Sequence, residues 1–443
     1  MKRHLTNALH GVLDYASYPL GMIVVAPIVL RRLGAAEYGL WMVATAVVSA
    51  GGILASGFSD AGIQRVAGLR GADRPNQIAH TVRTLLAINL ILGSVVALAT
   101  WLASPYMARH LAVSHTVPLS ECLASLHIAS VMILIRAIEA VSVSTQRAFE
   151  AYRGTVQIST AIRILTLASA ALLATLRMKT ESIMLATAVL FTIGTCLQFL
   201  HLRKFIDISS LWPSFQPQET HALLGSGIFL WLQTLGSILF RQLDRILLGI
   251  SLGAAAVAPY SLAIQFAEPL FGLTASGLGF FFPYLSSRAS TSSPAALRGT
   301  VFKAFLCNLL LVSCGAALLL LFGNSFLRIW AGPTVAHSAT SILPLVIAGS
   351  ALSGLSVTGT YAMQALGLFR IVAYISLGSR SGLLLLMLYM LHHHGLHGLA
   401  ITRICYGAAS LLVYLPLMRQ LAPTPTTMTS MPIAPELQEG PSR

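Results

Sequence analysis

The sequence predicts an all-α polytopic membrane protein, and three observations support this fold class. Of the 443 residues, 56% are hydrophobic and only 9% are charged, whereas a soluble domain carries about 25% charged residues. Apolar stretches near the ~20 residues that a helix needs to cross a bilayer recur along almost the whole chain. Lysines and arginines are concentrated in every second connection between these stretches. This composition leaves no room for a large aqueous domain.

Twelve apolar stretches are long enough to be membrane-spanning helices. In chain order, they comprise residues 8–30, 38–58, 84–104, 120–143, 154–176, 182–200, 224–250, 255–284, 302–323, 339–363, 369–391 and 396–418. The first stretch follows a basic start but lacks a small-residue cleavage pattern, so we expect a retained first helix. The tail at residues 419–443 is rich in Pro, Thr, Ser and Met, which predicts disorder.

The cations between the spans predict which side of the membrane each connection occupies. With the amino terminus in the cytoplasm, the inner segments carry sixteen Lys and Arg residues. The outer loops carry only six, which are Arg31, Arg32, Arg109, Arg177, Lys179 and Arg328. Because cationic loops resist translocation, this bias predicts that both termini are cytoplasmic.

A short sequence tag recurs in the second half of the chain and predicts a duplicated architecture. The residues LGAA occur at 33–36 and again at 252–255, which is 219 residues later and about half the chain length. Each copy joins an outward-running helix to an inward-running one, so the tag indicates two six-helix bundles, residues 1–201 and 224–418. Chance recurrence of so short a tag is the alternative. Residues 202–223 are then a cytoplasmic linker between the halves.

Ionisable residues inside the spans indicate a cavity, because a charge within the bilayer costs about 2.5–3.5 kcal/mol and normally faces protein or water. In the fourth span, Arg136 and Glu139 stand at i and i+3, a spacing that predicts a mutual ion pair. The other spans carry single charges that must find partners across helices, and these are Asp14, Arg163, Glu268, Arg380 and Arg403. Two parallel halves can enclose such a cavity and rock to open it on either side.

The seventh span carries three charges on one helical face, Arg241, Asp244 and Arg245. Asp244 can neutralise only one arginine, and the surplus positive charge suits a phosphate or pyrophosphate, for which guanidinium offers paired donors. An Arg–Asp clamp that ties this helix to a neighbour is the alternative. The carboxylates Asp14, Glu268 and Glu139 are candidates for proton or sodium coupling, with structural pairing as their alternative.

Three other classes of site are not expected from the sequence. The net charge of +14 is spread over seven inner segments rather than gathered on one face, which argues against nucleic-acid binding. The five cysteines lie inside apolar spans without CxxC spacing, so neither a zinc site nor a disulfide framework is indicated. Histidines 392, 393, 394 and 397 have metal-compatible spacing but no acidic or thiolate ligand nearby. We expect no metal and no cofactor.

Several loose motifs, which are specific as a set, support a family resemblance. They are LGAAEYGLW at 33–41, Asp60-Ala61-Gly62 with Arg65, DRILLG at 244–249, and YSLA at 260–263. With these motifs, nearly the whole chain resembles the multidrug/oligosaccharidyl-lipid/polysaccharide (MOP) exporter superfamily, in particular its polysaccharide-transporter branch with the Wzx-type O-antigen flippases. The resemblance implies two pseudo-symmetric six-helix bundles around a central cavity, as in MATE transporters. Pro259 departs from the glycine that more usually precedes Tyr260.

The resemblance implies a flippase that moves an undecaprenyl-pyrophosphate-linked oligosaccharide across the bacterial cytoplasmic membrane by alternating access, for O-antigen, capsule or exopolysaccharide synthesis. By this analogy Arg241 and Arg245, beside Asp244, bind the pyrophosphate. The sugar path is then lined by Arg163, Arg380 and Arg403. The implied partners are the lipid-linked oligosaccharide, membrane lipids, a polysaccharide polymerase with its chain-length machinery, and H⁺ or Na⁺ as a driving ion.

Two other functions stay open at the level of sequence. One is a cation-coupled drug or metabolite antiporter of the same superfamily, although six intramembrane arginines favour an anionic cargo. The other is an integral-membrane glycosyltransferase or polymerase, which needs a convergent acid/base set on a large outer loop. The outer loop at residues 31–37 holds one carboxylate, and the turn at 392–397 holds none. We therefore expect a transporter rather than an enzyme.

Overall fold

The computed structural model describes residues 2–112, 117–206, 212–278, 281–289 and 293–421, and within those ranges it contains helices and no strand. The helices are α1 (Lys2–Leu33), α2 (Ala35–Ala55), α3 (Ser59–Gly71), α4 (Pro75–Leu111), α5 (Leu119–Ala148), α6 (Tyr152–Thr175), α7 (Thr180–Leu202), α8 (Pro217–Leu252), α9 (Ala254–Gly277), α10 (Phe281–Ala289), α11 (Pro294–Ala331), α12 (Pro333–Ala365), α13 (Phe369–Ser410) and α14 (Tyr414–Gln420). A 3₁₀ turn, Leu411–Val413, precedes α14.

Each of the twelve predicted spans corresponds mainly to one helix or to one limb of a helix. The eleventh span is the first limb of α13, and the twelfth is the second limb, which begins after Gly395 and is followed by the 3₁₀ turn and α14. The backbone of Gly395 has φ 55° and ψ −130°, outside helical geometry and in a region that glycine adopts readily. Among the described residues, eight helices are long and apolar enough to cross a membrane, and one of these contains both limbs of α13. The predicted all-α membrane fold is confirmed.

Several helices extend beyond the predicted spans, and two of the differing boundaries change the predicted organisation. Helix α8 begins at Pro217, seven residues before the expected start at 224, because proline is favoured in the first turn of a helix. The predicted linker at 202–223 is therefore partly helical. The eighth span, expected to run to 284, ends as α9 at Gly277 and is followed by the short α10. Glycines at 277 and 279 favour this break. The predicted disordered tail lies outside the described residues from 422 onwards.

The repeated LGAA tag corresponds to the same backbone turn in both halves. Gly34, between α1 and α2, has φ 91° and ψ 172°, and Gly253, between α8 and α9, has φ 82° and ψ 168°. This conformation is accessible almost only to glycine, so both copies of the tag need it for the same reason. The two turns lie at one end of the molecule, which is called the turn end below. The opposite end, where α7 is followed by α8, is called the linker end.

Apolar packing joins the two halves at the turn end and divides them at the linker end. One large buried cluster contains residues of α1 and α2 together with residues of α9, α11 and α12. At the linker end there are two separate clusters, one formed mainly by α3, α4 and α5 and the other by α10, α11, α12 and α14. Helix α8 packs against both halves, since it contacts α2 and α4 as well as α9 and α13. Among the described residues, the halves thus share one apolar cluster at the turn end and have separate clusters at the linker end. Of the described carboxyl-terminal helices, only α8 is bonded to the amino-terminal half there, through Glu219 and Trp231.

Candidate functional site

Helices α2 and α9 hold the halves together at the turn end. The amide of Gln265 donates a hydrogen bond of 2.9 Å to the hydroxyl of Tyr38. The two backbones approach so closely at Gly39 that a Cβ atom there would stand 1.8 Å from the carbonyl oxygen of Ala254. Only glycine permits this contact, so the sequence at Gly39 is adapted to closure of the turn end.

Helices α1 and α11 form a second contact between the halves near the turn end. The indole Nε1 of Trp330 donates a hydrogen bond of 2.6 Å to the carbonyl of Ile23. The guanidinium of Arg31 donates to the carbonyl of Ile329. Both bonds use backbone acceptors, so they depend on the relative position of the two helices.

Below this closure, charged residues from both halves gather around Tyr18 of α1. The side chain of Tyr18 interacts electrostatically with Arg245 of α8, Arg163 of α6 and Glu268 of α9. Tyr18 keeps 38% of its surface exposed, and with these three side chains it defines a region between α1, α6, α8 and α9. We call this region the central cleft. It brings together Arg245 of the charged face predicted in the seventh span and two residues predicted as single intramembrane charges, Arg163 and Glu268.

Arg245 contributes positive charge to the central cleft without a carboxylate partner in the described part of the chain. Its Nε atom is buried and has no hydrogen-bond partner among those residues. The adjacent carboxylate of Asp244 accepts a hydrogen bond of 2.7 Å from the backbone N–H of Arg245 and does not bond its guanidinium. The side chain of Arg241 lies outside the described residues, so its expected role stays a prediction.

Asp244 is the centre of a buried clamp between three helices. Its side chain is 5% exposed, and its Oδ2 atom accepts from Arg403 of α13 at 2.5 Å and from the Tyr260 hydroxyl of α9 at 2.8 Å. The Nε atom of Arg403 donates in turn to the Tyr260 hydroxyl at 2.9 Å. Asp244 therefore neutralises Arg403 of α13 rather than the neighbouring Arg245. The surplus charge predicted for α8 stays with Arg245.

A cavity of about 330 Å³ lies within the carboxyl-terminal half, between α9, α12 and both limbs of α13. Glu268, Arg380 and Arg403 line it, so three predicted site residues share one space. Nine of the nineteen lining residues carry a hydroxyl group, and we call this space the hydroxyl-rich cavity. Glu268 borders both this cavity and the central cleft, which places the two spaces next to each other.

The remaining predicted site residues have other surroundings. Glu139 forms the expected ion pair with Arg136 at 2.5 Å within α5, and its side chain is 10% exposed. The guanidinium of Arg136 also lies over the ring of Phe191, 5.2 Å from its centroid. The side chain of Asp14 lies outside the described residues. In the ranges that the structure describes, no three His, Cys, Asp or Glu side chains are arranged to hold a metal.

Sequence reasoning missed two tyrosines of these sites. Tyr260 is fully buried and bridges Asp244 and Arg403, although the sequence analysis used it only as part of a motif. Tyr18 borders the central cleft. The available signal was a phenol within an apolar span, since a buried tyrosine hydroxyl usually has a hydrogen-bond partner.

Comparisons with known proteins add to this geometry. Residues 8–289, well over half of the chain, match the family described as Polysaccharide biosynthesis protein. The chain is also 31% identical over 173 residues to the uncharacterized membrane protein EpsK of Bacillus subtilis (strain 168). That alignment covers 38% of this chain and 33% of EpsK, so the chain spans about a third of that curated relative's length.

Solved structures of two transporters have the same fold. The lipid II flippase MurJ, in an inward closed conformation, gives a TM-score of 0.72 at 12% identity, covering 93% of this chain and 87% of MurJ. An inward-facing multidrug resistance MATE family transporter of the MOP superfamily gives a TM-score of 0.67 at 14% identity, covering 92% of this chain and 98% of the other. At such identities the likeness establishes the fold alone.

Proposed function

Because the chain belongs to the polysaccharide biosynthesis protein family, we propose that it is a flippase for an undecaprenyl-pyrophosphate-linked oligosaccharide. The family and the fold confirm the predicted place of this multi-pass membrane protein in the polysaccharide-transporter branch of the MOP superfamily. The proposal adds the cargo, its direction from the inner to the outer leaflet, and the bacterial cytoplasmic membrane as the location.

The observation that carries the proposal is the cationic central cleft. Arg163 and Arg245 come from opposite halves and meet around Tyr18, with Glu268 as the one described carboxylate beside them. A diphosphate brings about two negative charges and several acceptor oxygens, which guanidinium groups bind through paired charge-assisted hydrogen bonds. Such binding offsets the cost of holding two arginines within the bilayer. Arg241, one helical turn before Arg245, is the proposed third cation.

The difference in packing between the turn end and the linker end supports a mechanism of alternating access. The halves pack together at the turn end, while separate clusters form at the linker end. With the linker end in the cytoplasm, as the cation bias predicts, this conformation is open to the leaflet where the glycan is assembled. The lipid tail stays in the bilayer while the head group enters the cleft.

The hydroxyl-rich cavity is the proposed place for the sugar. It adjoins the central cleft at Glu268 and carries Arg380 and Arg403 in its wall. Glu268 is also the proposed coupling carboxylate, because it borders both spaces. The other candidate within a described span, Glu139, forms an ion pair with Arg136. Asp14 remains a second candidate for coupling to H⁺ or Na⁺. A polymerase with its chain-length machinery is the proposed consumer of the flipped glycan.

The test is transport by the purified protein in proteoliposomes. A fluorescent undecaprenyl-diphosphate oligosaccharide is placed in the vesicles, and its appearance in the opposite leaflet is followed by a membrane-impermeant quencher. We expect Arg245→Ala to slow transport at least about tenfold at unchanged protein abundance, because one bidentate cation is lost from the cleft. The exposed Arg298→Ala is the matched control and should transport normally.

Loss of Arg245→Ala from the membrane, rather than loss of its transport, would show that this arginine supports the fold instead of the cargo. Absence of flipping by the native protein would reject the flippase. A cation-coupled antiporter is the second candidate, favoured by Glu268 beside the cleft. It predicts uptake of a cationic dye driven by a pH or sodium gradient in the same vesicles, and no flipping of the lipid-linked glycan.

A further inference from the structure

We propose that the hydroxyl-rich cavity binds an acidic sugar residue of the glycan, with Arg380 binding the sugar carboxylate. This inference rests on the proposed function, since it takes the cargo to be a glycan. It adds the charge class of that glycan and assigns the residue that recognises it. Three features of the cavity support this assignment: its hydroxyl groups, its apolar wall and the hydrogen bonds of Arg380.

The hydroxyl groups of the cavity wall present acceptor oxygens. Each of six donates its own proton to a helix carbonyl at 2.6–3.2 Å, and these are Ser353, Ser356, Thr360, Tyr361, Ser379 and Ser410. A hydroxyl oxygen that has given its proton still has lone pairs to accept another bond. The wall therefore suits a ligand with many O–H donors, as a sugar has. A phosphate group offers acceptor oxygens but no O–H donors, so it would face the acceptor oxygens of this wall without forming hydrogen bonds to them.

The rest of the wall and the volume suit a sugar ring. Val357, Val372 and Ile375 are among the apolar residues that line the cavity, and they can cover the C–H face of a pyranose. A volume of about 330 Å³ is at the small end of ligand pockets, which measure about 300–1,000 Å³, and it suits one or two sugar rings.

Arg380 lines the cavity, and its described hydrogen bonds do not compensate its positive charge. Arg403 is neutralised by Asp244 in the buried clamp. Arg380 donates only a bond of 3.3 Å to the Tyr406 hydroxyl, and its Nε atom is buried without a hydrogen-bond partner in the described ranges. No ion pair of Arg380 is formed within those ranges. Because a charge in the bilayer is costly, an anionic ligand is the natural complement of this guanidinium.

A carboxylate and a phosphate share the chemistry that binds a guanidinium, since both accept paired N–H donors. The acceptor-rich wall favours the carboxylate of a sugar acid, because the same ring supplies hydroxyl donors for the serines. The diphosphate of the lipid carrier is expected instead in the central cleft, at Arg163 and Arg245.

The test compares one oligosaccharide with and without its negative charge. The full-length protein in nanodiscs is titrated calorimetrically with a hyaluronan tetrasaccharide, which carries glucuronate, and with its carboxyl-reduced form. We expect the acidic form to bind about tenfold more tightly, which corresponds to about 1.4 kcal/mol. Arg380→Gln should reduce this ratio to about one. Ser353→Ala should weaken both forms equally, because it removes an acceptor but no charge.

Arg298→Gln, which removes an exposed cation, is the control and should keep the tenfold ratio. Melting temperatures of all variants confirm folding. Equal affinity of the native protein for the two forms would overturn the inference. Another result would overturn the inference as well. In it, inorganic pyrophosphate displaces the acidic tetrasaccharide from the native protein and no longer binds to the Arg380→Gln variant. A flipping assay with a neutral lipid-linked glycan separates the two possible failures. If only the preference for an acidic sugar is wrong, the neutral glycan is still flipped, whereas if the proposed function is wrong, no glycan is flipped.

Discussion

At the scale of single residues, the buried clamp shows how a membrane protein neutralises a charge. Asp244 accepts from both Arg403 and Tyr260, and Arg403 donates to both of its partners. The three bonds within the triad each join two different helices, so α8, α9 and α13 are held in one arrangement. A pair of this kind contributes specificity of packing more reliably than net stability.

Removing one charge of the clamp is predicted to destabilise the carboxyl-terminal half. Asp244→Asn leaves the half-buried Arg403 without its counter-charge, a change that should cost up to about 3–5 kcal/mol. Tyr260→Phe removes one hydroxyl and should cost about 1–3 kcal/mol. Thermal unfolding of the purified proteins in detergent gives the order of melting temperatures. The double variant Asp244→Asn with Arg403→Gln should recover part of the loss, and failure to recover would argue against the clamp.

At the scale of elements, α8 is attached to both halves by different residues. Near its start, Glu219 accepts two bonds from Arg65 of α3, at 2.8 and 2.9 Å, and one from Thr81 of α4 at 2.8 Å. Near its end, Asp244 is clamped to α9 and α13. If one half rotates against the other, α8 must therefore bend between these two attachments.

The attachment at Glu219 is predicted to loosen in acid. The hydrogen bonds from Arg65 lower the pKa of Glu219 below its ordinary value of 4.5, against the opposing effect of burial. A lowered pKa means that the contribution to stability is present above pH 4.5 and is lost as the pH falls through the folded value. Hydrogen exchange of residues 212–222 should accelerate in that window. Glu219→Gln should exchange fast at every pH, and a pH-dependent rate in this variant would contradict the assignment.

At the scale of the whole molecule, conformation is decided by where the halves touch. The turn end shares one apolar cluster, whereas the linker end has two clusters that belong to separate halves. The closest approach at the turn end is the contact of Gly39 with the backbone of Ala254. Because it involves backbone rather than a flexible side chain, this contact has no room to adjust.

Gly39→Ala is predicted to prevent closure of the turn end. The added Cβ atom would lie 1.8 Å from the carbonyl of Ala254, so α2 and α9 must separate. We expect faster hydrogen exchange in residues 35–45 and 254–265, and transport slowed at least about tenfold, because one of the two alternating states is lost. Gly68→Ala is the control, since nothing lies within 4 Å of a Cβ atom there. Unchanged exchange in Gly39→Ala would reject this gate.

The sequence by itself determined the features that depend on local pattern. The apolar lengths predicted the helices, the LGAA tag predicted the two matching turns at Gly34 and Gly253, and the i, i+3 spacing predicted the pair of Arg136 with Glu139. The cost of intramembrane charge also selected the residues of the candidate site. Each of these inferences uses a continuous segment of the chain, within which the geometry of a helix or of a turn is set locally.

Only the tertiary structure decided which of these charges meet. Asp244 pairs with Arg403, 159 residues away, and Tyr18 of α1 meets Arg163, Arg245 and Glu268 of three other helices. It also placed a hydroxyl-rich cavity inside the carboxyl-terminal half, where the sequence predicted only a space between the halves. The physical reason is that helix-to-helix contacts depend on crossing angles and packing of whole surfaces, which no local spacing along the chain encodes.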